Sequence, residues 1–270
     1  MSTVASHPAA RPAARSRRWR LPAAGLLAAT LVTGGAGHAG AQPGRTTLRP
    51  MTAPRWAAVP PASAIIVPTA GRSALKIYSG PSPRSAGLIT LRNPLVPGVP
   101  LVLAQYGGTA KVGGVTYHMI RVSLPVRPNN TVGWVRCDQV RVTADPWRLD
   151  IYKTRHTLLA WRGATLMGAF PVAVGKPRTP TPVGVFYVET KQRSFGDFGP
   201  VILASSGFSD VFTTFTNAGQ AGDAAIALHG TNEPATVGHD ASHGCIRMYN
   251  ADVASLGSAI PVGTIMRINR

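Results

Sequence analysis

A histidine and a cysteine near the C-terminal end of the 270-residue chain are the residues best suited to chemistry. The tripeptide His229-Gly230-Thr231 is followed, after eleven residues, by the segment His243–Met248, which contains Cys245. A cysteine attacks a carbonyl as its thiolate, and a neighbouring imidazolium lowers the thiol pKa and later returns the proton to a leaving group. Glycine beside the cysteine exposes backbone N–H groups that can face a developing oxyanion. The two segments therefore predict covalent catalysis by Cys245 with His229 as its base.

Each of these residues also has a structural alternative. Cys245 could be a small buried side chain, and His229 could cap backbone groups where a strand ends. His243 could support the turn without taking part in the reaction. Arg247 could be a solvated ion-pair partner.

A zinc site is a further alternative, because His239 and His243 are four positions apart and His229 and Cys245 could complete a ligand set. The residues around the histidine pair, however, have the composition of a loop. The glutamate that serves as general base in a metalloprotease helix is also missing, because Asp240 directly follows His239. No metal and no cofactor are expected.

Short β-strands must position these residues. The apolar run Ala224–Leu228 ends directly at His229, and alternation over Gly184–Thr190 predicts a half-buried strand. Asn250 is predicted to be the N-cap of a helix over 251–258. Further strands are predicted at Leu149–Lys153, Thr157–Trp161, Thr165–Val174 and Thr264–Ile268. One short helix among many strands predicts a mostly β sandwich or barrel.

The residues before Asp145-Pro146 predict a separate, small all-β barrel. Turn signals separate six short runs: Ala64–Val67, Ala74–Tyr78, Val99–Gln105, Val115–Val122, Val132–Arg136 and Gln139–Thr143. We therefore expect a signal peptide at 1–41, a linker at 42–62, a β domain at 63–145 and a catalytic domain at 146–270.

The histidine and cysteine segments resemble the active-site signature of the L,D-transpeptidase (YkuD-like) family. The matching residues are His229-Gly230-Thr231 and Ser242-His243-Gly244-Cys245-Ile246-Arg247. Gly175-Lys176 and Thr181–Phe186 resemble a second element of the family, and Asn250-Ala251-Asp252 and Gly263-Thr264 follow at its usual positions. The resemblance covers about residues 147–270.

The resemblance implies a cell-wall enzyme that acts on peptidoglycan stem peptides. Cys245 would attack the carbonyl between the L- and D-centres of a donor stem and form a thioester, with His229 as base and acid. The side-chain amine of a second stem would accept the acyl group and give a 3→3 cross-link. Water as acceptor would make the protein an L,D-carboxypeptidase, and a catalytically silent wall-binding protein is the other alternative. Carbapenems are expected to acylate the same thiol.

Other roles follow from the same matched positions. His243 and Gly244 would shape an oxyanion pocket with their backbone N–H groups, and the His243 ring would orient or stabilise the intermediate. Ser242 would hold the turn or orient an imidazole, and Arg247 would bind a substrate carboxylate. Gly230 and Thr231 would belong to the substrate-binding set.

The upstream domain resembles a bacterial SH3-like domain in Leu75–Ser82 and Val132–Val135. Members of that family bind cell-wall peptides or act as spacers. The chain carries 28 basic and 10 acidic residues, a net charge of +18, and most of the excess precedes residue 146. That distribution argues against a nucleic-acid enzyme, and it suits a protein held near anionic wall polymers.

The first 41 residues have the pattern of an export signal. Five arginines from Arg11 to Arg20 precede the apolar run Leu21–Val32, and Ala39-Gly40-Ala41 has the small residues of a cleavage site. Ser16-Arg17-Arg18 leaves twin-arginine and general export both open. We therefore expect the cell envelope as the location, and two unbridged cysteines, Cys137 and Cys245.

Overall fold

The computed structural model of the chain describes residues 47–59, 63–95, 97–112, 115–217 and 220–270. The predicted signal peptide and part of the predicted linker lie outside these residues. The first seven strands are β1 Ser63–Pro68, β2 Ala74–Tyr78, β3 Gly87–Arg92, β4 Leu103–Val112, β5 Val115–Ser123, β6 Val132–Arg136 and β7 Val140–Asp145. They form one sheet in the order β3-β2-β6-β5-β4-β1-β7. An SH3-like identity for this sheet stays a prediction.

The remaining strands surround the candidate site. They are β8 Trp147–Tyr152, β9 Thr157–Arg162, β10 Thr165–Pro171, β11 Val174–Gly175, β12 Gly184–Arg193, β13 Val201–Phe208, β14 Thr214–Asn217, β15 Gln220–Asp223, β16 Ala225–His229, β17 Asp240–Ser242, β18 Ile246–Arg247 and β19 Ile265–Asn269. Eight of them form a sheet in the order β10-β9-β8-β19-β12-β13-β16-β18, while β11 pairs with β17 and β14 with β15.

Helical structure in the described residues is sparse. The α-helix α1 spans Asn250–Ala259, and four single 3₁₀ turns lie at Cys137–Gln139, Lys153–Arg155, Gly196–Phe198 and Pro234–Thr236. No helix in the described part of the chain is long and apolar enough to cross a membrane. The predicted mostly β architecture is confirmed.

Both faces of the second sheet are buried, because side chains alternate along each strand. In β12, Phe186 and Val188 enter the core that packs against α1, which also contains Leu228 and Ile246. Tyr187, on the opposite face, packs with the hydrophobic core of the first sheet. The first sheet therefore covers one face of the second sheet, and α1 covers the other.

Residues 47–59, part of the segment predicted to be a linker, lie against the second sheet. Met51 forms an isolated bridge with Leu166. Trp56 packs edge-to-face on Tyr152 with ring centroids 4.7 Å apart, and the guanidinium of Arg155 lies 4.5 Å from the Trp56 ring centroid. Aromatic and aliphatic contacts hold this stretch in place despite its irregular sequence.

The loop between β5 and β6 joins the two sheets through polar side chains. Asn129 donates to the Phe208 carbonyl at 2.7 Å and accepts the Phe208 N–H at 2.9 Å. Arg127 donates to the carbonyls of Ser209 and Phe212, and its guanidinium lies 4.9 Å from the Phe208 ring centroid. The loop thus fixes the C-terminal end of β13, next to the start of β16.

Replacing Asn129 with alanine tests this connection. Asn129→Ala leaves both backbone groups of the buried Phe208 without their side-chain partner, so we expect the free energy of unfolding to fall by about 1–3 kcal/mol in urea titrations. Asn232→Ala is the matched control, because Asn232 makes one exposed side-chain bond, to Asp197. An equal decrease in the free energy of unfolding of the two variants would contradict the role of Asn129 in joining the two sheets.

Candidate active site

Parallel pairing of β16 with β18 brings the histidine and the cysteine together. Leu228 lies opposite Ile246, and His229 lies opposite Arg247. Because side chains alternate, Leu228 and Ile246 enter the core while His229, Arg247 and Cys245 belong to the other face. Cys245 directly precedes β18 and lies beside Ala227, one side-chain step along this face from His229.

The Cys245 thiol is desolvated although the residue as a whole is partly exposed. Burial raises the pKa of Cys245 above its ordinary value, while the backbone N–H of Ala227 and the positive charge of Arg247 act in the opposite direction. The resting sulfur is therefore a neutral thiol at neutral pH. A thiol pKa lowered by an imidazolium, as the sequence predicts, does not describe this site.

The imidazole of His229 is buried and held on two sides. Its Nδ1 lies 2.5 Å from the carbonyl oxygen of Gly230, and the ring of Phe198 packs edge-to-face with centroids 4.9 Å apart. Since a carbonyl oxygen can only accept, Nδ1 carries the proton and Nε2 keeps its lone pair. Burial lowers the pKa of His229 to about 4, so the ring is neutral at pH 7.

A neutral thiol and a neutral imidazole form a general-base pair instead of a preformed ion pair. No hydrogen bond between Cys245 and His229 is found among the described residues. Contacts of this kind are often long without substrate and tighten in the complex. The arrangement can transfer the thiol proton to Nε2 as the sulfur attacks an acyl group.

The turn that carries Cys245 is held by Ser242. The Ser242 hydroxyl donates to the carbonyl of Cys245 at 2.5 Å and accepts the Gly244 N–H at 3.0 Å. Gly244 has φ +123°, which non-glycine residues rarely adopt. The Gly244 N–H is bonded to Ser242 in this conformation, and its predicted use for an oxyanion stays a prediction.

Thr181 supports the same turn from the second matched element. Its hydroxyl donates to the Gly244 carbonyl and accepts the Gly175 N–H, both at 2.8 Å, and the residue is fully buried. A Cβ at Gly175 would lie 2.2 Å from the Thr179 carbonyl oxygen, so this close approach requires glycine. The two elements that the sequence resemblance picks out therefore contact each other directly.

Asn250 holds the loop that follows His229. Its carboxamide oxygen accepts the Thr231 N–H at 2.8 Å. A Cβ at Gly230 would lie 2.1 Å from that oxygen and 3.0 Å from the Gly199 Cα, so glycine is required there as well. The prediction that Asn250 caps the helix is wrong, because Tyr249 occupies the N-cap position and the Asn250 side chain bonds this loop instead.

Arg247 has an ion-pair partner, whereas the His243 side chain is exposed to solvent. Arg247 Nη1 donates to Glu233 Oε2 at 2.6 Å, so its guanidinium already has a carboxylate partner. His243 is exposed on the turn. The structure thus brings Ser242, Gly244 and Cys245 into one turn, with His243 on its outer side.

The described residues do not form the zinc site that the sequence left open as an alternative. Among the described residues, no three His, Cys, Asp or Glu side chains are grouped closely enough to hold an ion. His239 is exposed, and the neighbouring Asp240 carboxylate contacts His156 Nε2 at 2.9 Å instead.

The supporting roles of Phe198 and Thr181 at this site were not predicted from the sequence. Phe198 carries no detectable signal, because it is an aromatic residue in a glycine-rich loop thirty-one positions before His229. Thr181 belongs to a matched element, but its hydrogen bond to the Gly244 carbonyl joins residues 63 positions apart. Only the close approach of β11 and the Cys245 turn gives it a role.

The burial of the His229 imidazole can be tested by titration. NMR of the histidine rings should show His229 as the Nδ1–H tautomer with a midpoint near pH 4, identified by its absence in His229→Gln. Because the unfolded chain binds this proton near pH 6.5, protein stability should fall as the pH drops from about 6.5 to 4, by up to about 3 kcal/mol. His229→Gln should lack that component, and a midpoint near 6.5 would contradict the environment described.

Comparison with known proteins identifies the domain around this site. The family model of the L,D-transpeptidase catalytic domain (YkuD) matches residues 146–268. A putative L,D-transpeptidase YkuD from Bacillus subtilis is 36% identical over 126 residues, which are 46% of this chain and 67% of the relative. Its counterpart from Bacillus licheniformis is 34% identical over 124 residues, 46% of this chain and 66% of the relative. The chain thus spans about two thirds of the length of these curated relatives.

Solved structures with the same description share less of the sequence. An L,D-transpeptidase from Mycobacterium smegmatis is 14% identical and aligns over 64% of this chain and 92% of its own, with a TM-score of 0.38. L,D-transpeptidase 3 from Mycobacterium tuberculosis, in complex with a faropenem-derived adduct, is 16% identical over 64% and 92%, with a TM-score of 0.40. On the strength of the family match and the Bacillus relatives, the chain belongs to the YkuD family of L,D-transpeptidases.

Proposed function

We propose that this protein is a peptidoglycan L,D-transpeptidase that forms 3→3 cross-links through a thioester on Cys245. The observation that carries the proposal is the β16–β18 pairing, which places Cys245 and the oriented imidazole of His229 on one face. Family membership supplies the class of substrate, a peptidoglycan stem peptide. The reaction steps follow from the protonation of the two side chains.

In the first half-reaction, His229 Nε2 takes the thiol proton while the sulfur attacks the carbonyl between the L- and D-centres of the donor. The tetrahedral intermediate collapses to a thioester, and the imidazolium gives its proton to the departing amine of the terminal D-residue. The Gly230 carbonyl stabilises the transient imidazolium through the Nδ1–H bond. Burial makes this ion short-lived, which favours proton delivery to the leaving group.

The second half-reaction reverses the first with a new amine. The side-chain amine of a second stem gives its proton to His229 Nε2 as it attacks the thioester carbonyl. The sulfur leaves and recovers the proton, which restores the neutral pair. Water in place of the amine would give L,D-carboxypeptidase products from the same intermediate.

Oxyanion stabilisation is proposed for the backbone N–H groups of Cys245 and His243. Neither donates a hydrogen bond within the described part of the chain, whereas the Gly244 N–H is bound to Ser242. His243 and Cys245 flank Gly244, which has a positive φ. His243 would thus contribute through its backbone, with its exposed ring near the solvent side.

Arg247 is proposed to bind a substrate carboxylate while keeping its contact with Glu233. A guanidinium has five N–H donors, and the Glu233 bond is made from Nη1. Strand register places Arg247 on the face that also carries Cys245 and His229.

Beyond the catalytic domain, we propose that residues 1–41 direct export to the cell envelope and that 63–145 form an SH3-like module. The basic surface of that module would favour anionic wall polymers. Acylation of Cys245 by carbapenems is proposed on the same chemistry as the donor reaction.

The reaction is tested by incubating the purified protein with disaccharide-tetrapeptide and analysing the products by mass spectrometry. We expect a cross-linked dimer that lacks one terminal D-alanine, and an acyl-enzyme mass on the intact protein. Cys245→Ala should abolish both while keeping the fold, since the side chain is small and the residue is partly exposed.

The products separate the alternatives. A Cys245-dependent tripeptide without dimer would identify an L,D-carboxypeptidase. Unchanged substrate with a folded protein, and no acyl-enzyme with a carbapenem, would favour a silent wall-binding protein.

Thr181 gives a second test of the same site. Thr181→Val keeps the side-chain shape but removes the hydroxyl that joins Gly175 to Gly244, so the Cys245 turn loses its anchor. We expect a 10- to 100-fold lower acylation rate and about 1–3 kcal/mol lower stability. Thr181→Ser restores the hydroxyl and should retain most of the rate in stopped-flow acylation assays. Equal rates for the valine variant and the unaltered protein would contradict this role.

A further inference from the structure

A cavity of about 400 Å³ lies where the first sheet covers the second. Its lining includes Gln105 and Tyr106 of β4 on one side, and Arg148 of β8, Val185 of β12 and Arg267 of β19 on the other. Three strands separate β19 from β18 in the second sheet. The cavity is therefore distinct from the Cys245 site.

Strand register gathers charges at this cavity. β8 and β19 run parallel with Arg267 opposite Asp150, and Ile265 opposite Arg148. Alternation puts Arg148, Asp150 and Arg267 on the face that turns towards the first sheet, whereas Leu149 and Met266 enter the other core. Arg148 Nε donates to Asp150 Oδ1 at 2.9 Å.

The charges at this cavity do not balance, although the Arg267 side chain is partly exposed. Arg148 is 5% exposed, and Asp150, the carboxylate that interacts with both guanidinium groups, is 3% exposed. Two guanidinium groups therefore share one carboxylate, and no acidic side chain is among the described lining residues. Arg148 Nη2 and Arg267 Nε are buried with no hydrogen-bond partner in the described residues. Such unpaired charge is costly in a desolvated place unless an anion enters.

A further cation, Arg121, packs on the ring of the lining residue Tyr106. The guanidinium of Arg121 lies 5.2 Å from the centroid of the Tyr106 ring. Arg121 therefore adds positive charge beside Tyr106, a residue that lines the cavity.

We propose that this cavity is an oxyanion-binding site that takes a phosphate group. The guanidinium is planar, and its parallel N–H donors match the oxygens of phosphate or carboxylate. Donors that arrive from two separate strands suit a tetrahedral anion, which offers oxygens in more than one plane. The bound anion would neutralise the excess charge and tie the first sheet to the second. The proposal rests on this cavity alone and stands apart from the chemistry of Cys245.

Calorimetric titration of the whole protein with inorganic phosphate, at constant ionic strength set by sodium chloride, tests the proposal. We expect saturable binding and a phosphate-dependent rise in the thermal unfolding midpoint. Arg267→Gln should weaken binding about 10- to 100-fold, the loss expected for a charge-assisted hydrogen bond. Arg141→Gln is the matched control, because Arg141 is an exposed residue of β7 in the first sheet and its replacement removes the same charge away from the cavity. It should bind like the unaltered protein.

Equal weakening in the two variants, or an equal response to chloride alone, would overturn the proposal in favour of general charge screening. NMR of the arginine Nε–H groups in the unaltered protein gives a readout that needs no variant. At least one such signal should shift and saturate at the calorimetric Kd, and no responding signal would overturn the site. Titration with acetate and with a short poly(glycerol phosphate) then separates the sources of the anion. Tighter binding of the polymer identifies a polymer phosphate, tighter inorganic phosphate a free ion, and preference for acetate overturns the phosphate assignment.

Discussion

The parallel pairing of two short strands at one edge of the second sheet is the constraint on which the active site depends. Leu228 and Ile246 anchor β16 and β18 in the core, and their burial turns the neighbouring side chains to the opposite face. The core contact therefore sets the direction of His229 and Cys245 without any bond between them. The Ser242 and Thr181 hydroxyls then hold the turn before β18 by hydrogen bonds to the carbonyls of Cys245 and Gly244. These hydrogen bonds fix the backbone conformation of the turn, which hydrophobic packing alone does not determine.

Both faces of the second sheet are buried, so the sheet takes part in two hydrophobic cores. Phe186 and Val188 pack towards α1, while Tyr187 joins the core of the first sheet. The first sheet is thus structurally continuous with the catalytic domain through a shared apolar core and the Asn129 contacts. The same covered face holds Arg148, Asp150 and Arg267, which creates a charged cavity within an otherwise apolar junction.

Much of the strand pattern could be predicted from local alternation, but β13 and β3 could not. β13 contains Ser205, Ser206 and Gly207, and the serine hydroxyls bond backbone groups, so its buried residues carry no apolar period. β3 is largely exposed and lacks a sharp difference between its faces. The helix was placed one residue short at each end, because Asn250 bonds Thr231 across space instead of capping α1.

The sequence by itself determined the residue types of the reacting pair, the matched elements around them and the mostly β class, because these depend on local composition and spacing. The tertiary structure decided the protonation of the pair, since burial raises the pKa of Cys245 and lowers that of His229. It also decided that Phe198 and Asn250 support the site, and that Arg148 and Arg267 share one carboxylate. Desolvation and contacts between distant segments exist only once the chain has folded, so no pattern along the sequence could express them.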